Sequence, residues 1–169
     1  FNITVPFTTD IIPHLDWISE DAKKIGSVNT VKIINKKCYG YNTDGDGFIM
    51  QLKSDGTTVK DSRIKIVGAG GSTMSIVYAL VKEGAKNIII YNRTIEKAKQ
   101  IAENYSNVAA LPLDEFSAMD CEILINTTSV GLFPDVDSSP VESLDGISKD
   151  TAVYDIIYSP PETKFMKMA

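Results

Sequence analysis

The chain has 169 residues and a net charge of −5, long enough for one sizeable core or two small ones and of the wrong sign for a nucleic-acid partner. Residues 1–60 carry seven Lys/Arg against seven Asp/Glu and residues 61–169 ten against fifteen, so the acidic excess lies in the C-terminal part. No apolar run approaches the roughly 20 residues of a membrane span, and Cys38 and Cys121 lack CxxC or Cys/His spacing, which reads as a cytoplasmic protein with reduced thiols and no metal.

The first residues, FNITVP (1–6), predict a short strand stopped at Pro6, which supplies no ladder donor. A helical stretch follows over Glu20 to Ile25, with Ser19 as its N-cap and Gly26 as its stop. SVNTVKII and KKCYGYNT read as paired strands joined through Asn35-Lys36-Lys37. Phe48, Ile49 and Leu52 recur at helical spacing between Gly45 and Lys53, and Ser54-Asp55-Gly56 ends that run. A domain boundary is expected near residues 54–61, dividing the chain into 1–60 and 61–169. His14, the only histidine, follows Pro13 and reads as a surface or packing residue.

From residue 61 strands and helices alternate. Strands are expected at 64–67, 87–91, 108–113, 122–127 and 152–157. One helix carries Ile76, Val77, Leu80 and Val81 as an apolar stripe, and a second runs from Ile95 to about Tyr105 with Ala98, Ile101 and Ala102 inward. Near-continuous apolar strands alternating with helices predict a doubly wound α/β unit, a parallel sheet covered on both faces. The chain opens on strand-like residues without an initiator Met and closes on residues 164–169, which look like the first turns of an unfinished helix. The sequence therefore reads as the middle of a longer protein.

Val67-Gly68-Ala69-Gly70-Gly71-Ser72-Thr73 joins an apolar strand to an amphipathic helix. Gly68 permits a tight turn, and Gly70 lets the backbone approach a pyrophosphate, which the helix N-terminus meets with free N–H groups. Thr73 stands where the fingerprint has its third glycine. At the end of the next strand an NAD site places Asp or Glu on the ribose 2′-hydroxyl. Here that position reads Tyr91-Asn92-Arg93-Thr94, with Lys97 one turn on. Arg93 can grip a 2′-phosphate that a carboxylate would repel, and Thr94 can both cap the helix and bond the phosphate, so the cofactor expected is NADP. The bland alternative makes Arg93 and Lys97 a solvated helix face. Asn126-Thr127-Thr128-Ser129-Val130-Gly131 follows a further strand, where small hydroxyl residues let a flat ring lie against backbone.

Seven stretches in order resemble the shikimate dehydrogenase family: Asn2 to Pro6, Ile25 to Thr30, Asn42 to Gly45, the turn at 68–71, Asn92 to Thr94, Asn126 to Thr128, and Asp155 to Tyr158 with Pro160. The resemblance implies a Rossmann-like NADP-binding domain beside a partial substrate-binding domain. It implies NADPH-dependent reduction of 3-dehydroshikimate to shikimate, a step of aromatic biosynthesis, by a monomer or homodimer acting on a small molecule. It puts Thr4, Asn29 and Asp44 on the substrate with Tyr158 nearby, and makes Asp44 the acidic member of a catalytic Lys–Asp pair. Read without it, Asp44 is an N-cap for the helix from Gly45.

The sequence departs from that pattern at Thr8, where the family has the lysine. Threonine supplies no cation and its hydroxyl is a poor base. Loss of a general acid–base group costs about 10²- to 10⁴-fold in rate. Impaired turnover is expected. Met74 replaces a basic residue many relatives carry, and the resemblance implies relatives roughly 100 residues longer. A quinate/shikimate dehydrogenase is the close alternative, and a non-catalytic module binding NADP or shikimate the distant one.

Overall fold

The structure, a computed structural model, describes every residue except Val5. Two sheets organise it. The smaller has three strands: β1 (Trp17–Ile18), β2 (Thr30–Ile34) and β3 (Lys37–Tyr41), in the order β1-β3-β2. β2 and β3 form the expected antiparallel hairpin. Its turn is tighter than anticipated, because Asn35 and Lys36 both take positive φ, 50° and 63°. Two such residues give the turn whose twist matches the strands it joins. β1, only two residues long, was not anticipated; it runs parallel to β3. Among the described residues of 1–6, no strand forms where one was expected. Asn2 makes an isolated antiparallel bridge to Thr30, the chain turns from Pro6 onward, and Val5 lies outside the described residues.

Helix α1 (Glu20–Ile25) starts and stops as expected, the Ser19 hydroxyl accepting from Ala22 N and the chain turning left-handed at Gly26. Helix α2 (Asp44–Ser54) begins one residue earlier than expected and packs against α3 (Gly71–Lys82). A Cβ at Gly45 would run into the Ser75 carbonyl, so only glycine permits this crossing.

The larger sheet is all parallel: β4 (Arg63–Val67), β5 (Asn87–Asn92), β6 (Val108–Pro112), β7 (Ile123–Asn126) and β8 (Ala152–Asp155), ordered β6-β5-β4-β7-β8. The chain steps outward one way from β4 and then returns to its other side, so the switch of direction falls between β4 and β7. In such sheets ligands bind at that point, beyond the strands' carboxyl ends.

One face carries the main core. Ile64, Ile66, Ile88, Ile90, Ile123 and Ile125 meet Ile76, Val77 and Leu80 of α3 and Ala98 and Ile101 of α4 (Ile95–Ala102), with Ile49 and Leu52 of α2 joining them. Each buried Ile, Val or Leu among them contributes about 1.5–3 kcal/mol. α4 ends before Tyr105 because the backbone tightens at Glu103 and Asn104.

The other face is covered too, as expected, though not by long helices. Irregular segments cover it, supplying Ala118, Val141 and Leu144, together with Phe165 from the short α5 (Lys164–Lys167). Lys65 points into this layer. It is buried, and its ammonium donates to the carbonyls of Ser117 (2.8 Å) and Met119 (2.6 Å) over the Tyr91 ring. No helix is long and apolar enough to cross a membrane among the described residues.

Candidate functional site

The carboxyl ends of four strands share one edge, since Val67 pairs with Tyr91 and Asn126, and Asn126 with Asp155. Gly68 leaves β4 with φ +113°, and a Cβ there would lie 2.6 Å from the Thr127 hydroxyl. Glycine is thus required twice over, for its conformation and for the approach of the segment after β7. Gly70 and Gly71 face open space where side chains would begin. The first turn of α3 presents N–H groups without intrahelical partners. An anion can sit on that cradle without displacing any side chain, so the residues present suit a dinucleotide pyrophosphate.

Thr73, where a third glycine was expected, is fully buried and structural in its own right. Its hydroxyl accepts from Gly70 N at 3.0 Å and lies 2.8 Å from the Thr127 hydroxyl, which itself bonds the Val67 carbonyl at 2.9 Å. Ser72 is half-buried on the same turn.

Five of the expected cofactor residues line two cavities, Ala69, Gly70, Gly71 and Lys97 the one and Arg93 the other. One, about 650 Å³, is lined by Ala69, Gly70, Gly71, Met74 and Lys97, with Thr9 and Lys24 on its far side. The other, about 810 Å³, is lined by Arg93 and by the apolar Pro112, Leu113, Phe116 and Val141, with Asp114 and Glu142. The apolar walls suit a flat heterocycle, and Arg93 suits an anion. Arg93 and Lys97 are exposed and make no ion pair among the described residues. Asn92 donates to the Thr94 carbonyl at 2.8 Å and shapes this turn. Thr94 occupies the N-cap position of α4 but its hydroxyl makes no capping bond, contrary to the expected cap, and stays free for a ligand.

At the crevice's other end, Asn126 is wholly buried and donates to both oxygens of Asp155 at 3.1 Å. Its carbonyl accepts from Thr128 N (2.9 Å) and the Thr128 hydroxyl (2.8 Å).

In the N-terminal part, Asn29 and Asp44 lie together: Asn29 Nδ2 donates to Asp44 Oδ1 at 2.5 Å. Asn29 Oδ1 accepts from Thr43 N (3.0 Å) and the Thr30 hydroxyl (3.0 Å), which fixes its amide orientation. Thr43, not Asp44, is the N-cap residue of α2, and no side chain caps it, so the capping role considered for Asp44 is not used. Asp44 lies instead in the first turn, where the helix dipole favours its charge. Ile3 N donates to the Asn29 carbonyl (2.7 Å), Phe7 N to the Thr4 carbonyl (3.0 Å) and Val28 N to the Thr8 carbonyl (2.8 Å). These bonds wrap the segment bearing Thr4 and Thr8 around Asn29. Tyr158, 86% exposed, is the one expected substrate residue standing clear of that wrapped cluster.

Asp21 of α1 joins the two parts. It accepts from the Tyr78 hydroxyl at 2.6 Å and from Lys82 at 3.0 Å, both on α3. The bond to Asp21 pushes the Tyr78 phenol up to about 12, and bonds from Tyr78 and then Lys82 hold Asp21 below the usual carboxylate range. Cys121 is buried, and burial pushes its thiol up, as befits an unreactive core cysteine; Cys38 is free and half-buried.

Sequence reasoning missed three contributors. Thr73 was visible as an anomaly in the glycine pattern, but its partner is 54 positions away. Asp155 lay within a matched stretch without a role. The apolar walls of the Arg93 cavity come from connections that carry no periodic signal.

Together the strand order, the switch point and the glycine turn define a Rossmann-like unit. The family profile described as shikimate / quinate 5-dehydrogenase matches residues 51–157, and that of the shikimate dehydrogenase substrate binding domain matches residues 1–31. The shikimate dehydrogenase (NADP(+)) of Aquifex aeolicus is 47% identical, over 99% of this chain and 60% of its own length. That of Methanococcus aeolicus is 44% identical, over 100% and 62%. The crystal structure of shikimate 5-dehydrogenase from Thermus thermophilus in complex with NADP(H) and shikimate superposes with a TM-score of 0.89 at 34% identity, covering 99% of this chain and 62% of that one. The chain belongs to the shikimate / quinate 5-dehydrogenase family. It spans about three fifths of the length of these relatives.

Proposed function

We propose that the protein interconverts 3-dehydroshikimate and shikimate with NADP as the nicotinamide cofactor, and that Thr8 lowers its turnover. The observation that carries this reading is the Asn29–Asp44 pair, held in one fixed orientation within the same molecule as an Arg-bearing dinucleotide turn. In this division residues 1–60 hold the substrate and residues 61–169 the cofactor, with α2 packed into the core of the second part. Gly68, Ala69, Gly70, Gly71 and Ser72 cradle the pyrophosphate, Asn92, Arg93, Thr94 and Lys97 take the 2′-phosphate, and Asn126, Thr127 and Thr128 border the nicotinamide.

The cofactor supplies a hydride to the ring carbonyl carbon. The chain must then hold the ring and bring a proton to the oxygen as it becomes a hydroxyl. Thr4 and Asn29 offer hydroxyl and amide groups to the ring's oxygens. Asp44 binds Asn29 through Oδ1, and its Oδ2 has no partner among the described residues, which leaves an acceptor for a substrate hydroxyl. On this reading the exposed Tyr158 side chain also approaches the ring. Thr8 cannot neutralise charge on the oxygen as an ammonium would.

Thr8 also supports a second reading, a non-catalytic module that binds the same ligands. Following nicotinamide absorbance with shikimate and NADP⁺ on the intact protein tests the proposal, with quinate as the competing substrate. Slow but saturable reduction of NADP⁺ by shikimate, faster than by quinate, is the expected result. Shikimate binding without any hydride transfer, even after Thr8→Lys, would favour the module.

A further inference from the structure

Asp155 ends β8 at the crevice and collects hydrogen bonds from three directions. Oδ1 accepts from Asn126 Nδ2 (3.1 Å) and Ile157 N (2.9 Å), and Oδ2 from Asn126 Nδ2 (3.1 Å) and the Thr163 hydroxyl (2.7 Å). A carboxylate only accepts, and that one property dictates the direction of every bond beyond it. The Thr163 proton must point at Asp155, which leaves its oxygen to accept from Met166 N at 3.3 Å and start α5. Asn126 must turn its amide nitrogen toward Asp155, so its carbonyl faces Thr128. The Thr128 hydroxyl donates to that carbonyl at 2.8 Å, and its oxygen then accepts from Val130 N at 3.2 Å. Asn126 is 0% exposed and Thr163 1%, so water is not at hand to replace a lost partner.

We infer that Asp155 is a positioning residue, whose carboxylate orients Asn126 and thereby holds the 126–130 segment against which the nicotinamide half of the cofactor lies. The inference rests on the cofactor reading given above. That segment already abuts the glycine turn, since a Cβ on Gly68 would meet Thr127 and Thr128 at 2.6 and 2.9 Å. A neutral amide at position 155 must present a donor to at least one of its present donors. The segment is then no longer held in a single arrangement, and misplacement of about 1 Å is enough to cost 10²-fold in a transfer step.

The test compares Asp155→Asn with Thr163→Val, which severs the link to α5 and spares Asn126. Both are made in the intact protein and checked by thermal melting. Two probes are used: adenosine 2′,5′-bisphosphate, which lacks the nicotinamide, and NADPH, whose nicotinamide fluorescence rises when the ring is held. Asp155→Asn should bind the bisphosphate within twofold of the parent and lose the fluorescence rise. Thr163→Val should melt lower and keep the rise. If Asp155→Asn does not fold, Thr128→Val at the far end of the relay should show the same loss. A full rise in Asp155→Asn, in Thr128→Val where that variant is needed, or no rise in a parent that binds the bisphosphate, overturns the inference alone. A parent that ignores the bisphosphate overturns the cofactor reading and the inference with it.

Discussion

The hydroxyls of Thr73 and Thr127 lie 2.8 Å apart in the core, and the proton between them belongs to Thr73. Thr127 has already given its own proton to the Val67 carbonyl, and Thr73 accepts from Gly70 N, so the chain of bonds runs one way, from the glycine turn into the segment after β7. The departure from the glycine fingerprint is therefore a connection between the two halves of the proposed cofactor site.

Thr73→Val keeps the side chain's shape and removes that connection. It removes the acceptor of the exposed Gly70 N, which can turn to water, and the donor to the buried Thr127 hydroxyl, a loss of about 0.5–1.5 kcal/mol. Denaturant unfolding should show that loss, and Thr73→Ser, which restores the hydroxyl, should recover most of it. Equal stability of the Val and Ser variants would contradict the assignment.

Among the described residues, the Ser75 hydroxyl is the one buried side-chain polar atom without a hydrogen-bond partner. It sits where α2 crosses α3 at Gly45. Ser75→Ala should raise stability by about 0.5–1 kcal/mol, since it removes an unsatisfied group and improves helix propensity. A net loss would mean that the hydroxyl has a partner in solution.

The Asp21–Tyr78 contact gives a pH dependence of known sign. Tyr78 is raised from 10.0 to about 12 in the folded protein. The stability it contributes is complete below pH 10 and is lost as pH rises toward 12. Asp21 is lowered, so its contribution is present above the ordinary carboxylate range and falls away in acid. Spectroscopic titration of tyrosinate should lose its most alkaline component in Asp21→Asn. An unchanged titration curve would remove the contact from the account.

Thr8→Lys should raise turnover of the intact protein about 10²- to 10⁴-fold, the usual worth of a general acid–base group. Steady-state rates with shikimate and NADP⁺ measure it, and an unchanged rate would show that position 8 does not face the reacting oxygen.

Much of this was legible in the sequence because it rests on local rules. The strand–turn–helix of 63–82 is announced by apolar periodicity and glycine spacing, and Ser19 and Gly26 mark both ends of α1. What was not legible depends on distant partners. β1 is two residues whose strand character exists only beside β3. The second face of the large sheet is covered by segments with no period to read. Resemblance put Asn29 and Asp44 on one substrate, whereas the bonds that orient them involve Thr30 and Thr43, which lay inside matched stretches without a role.

The central claim is that Arg93 and the glycine turn select a dinucleotide carrying a 2′-phosphate. Isothermal titration of the intact protein with NADP⁺ and with NAD⁺ tests it most directly. The account expects NADP⁺ to bind at least about tenfold tighter, a difference of about 1.4 kcal/mol, and Arg93→Gln to erase most of that margin. Equal affinity for the two cofactors in the parent protein would contradict it.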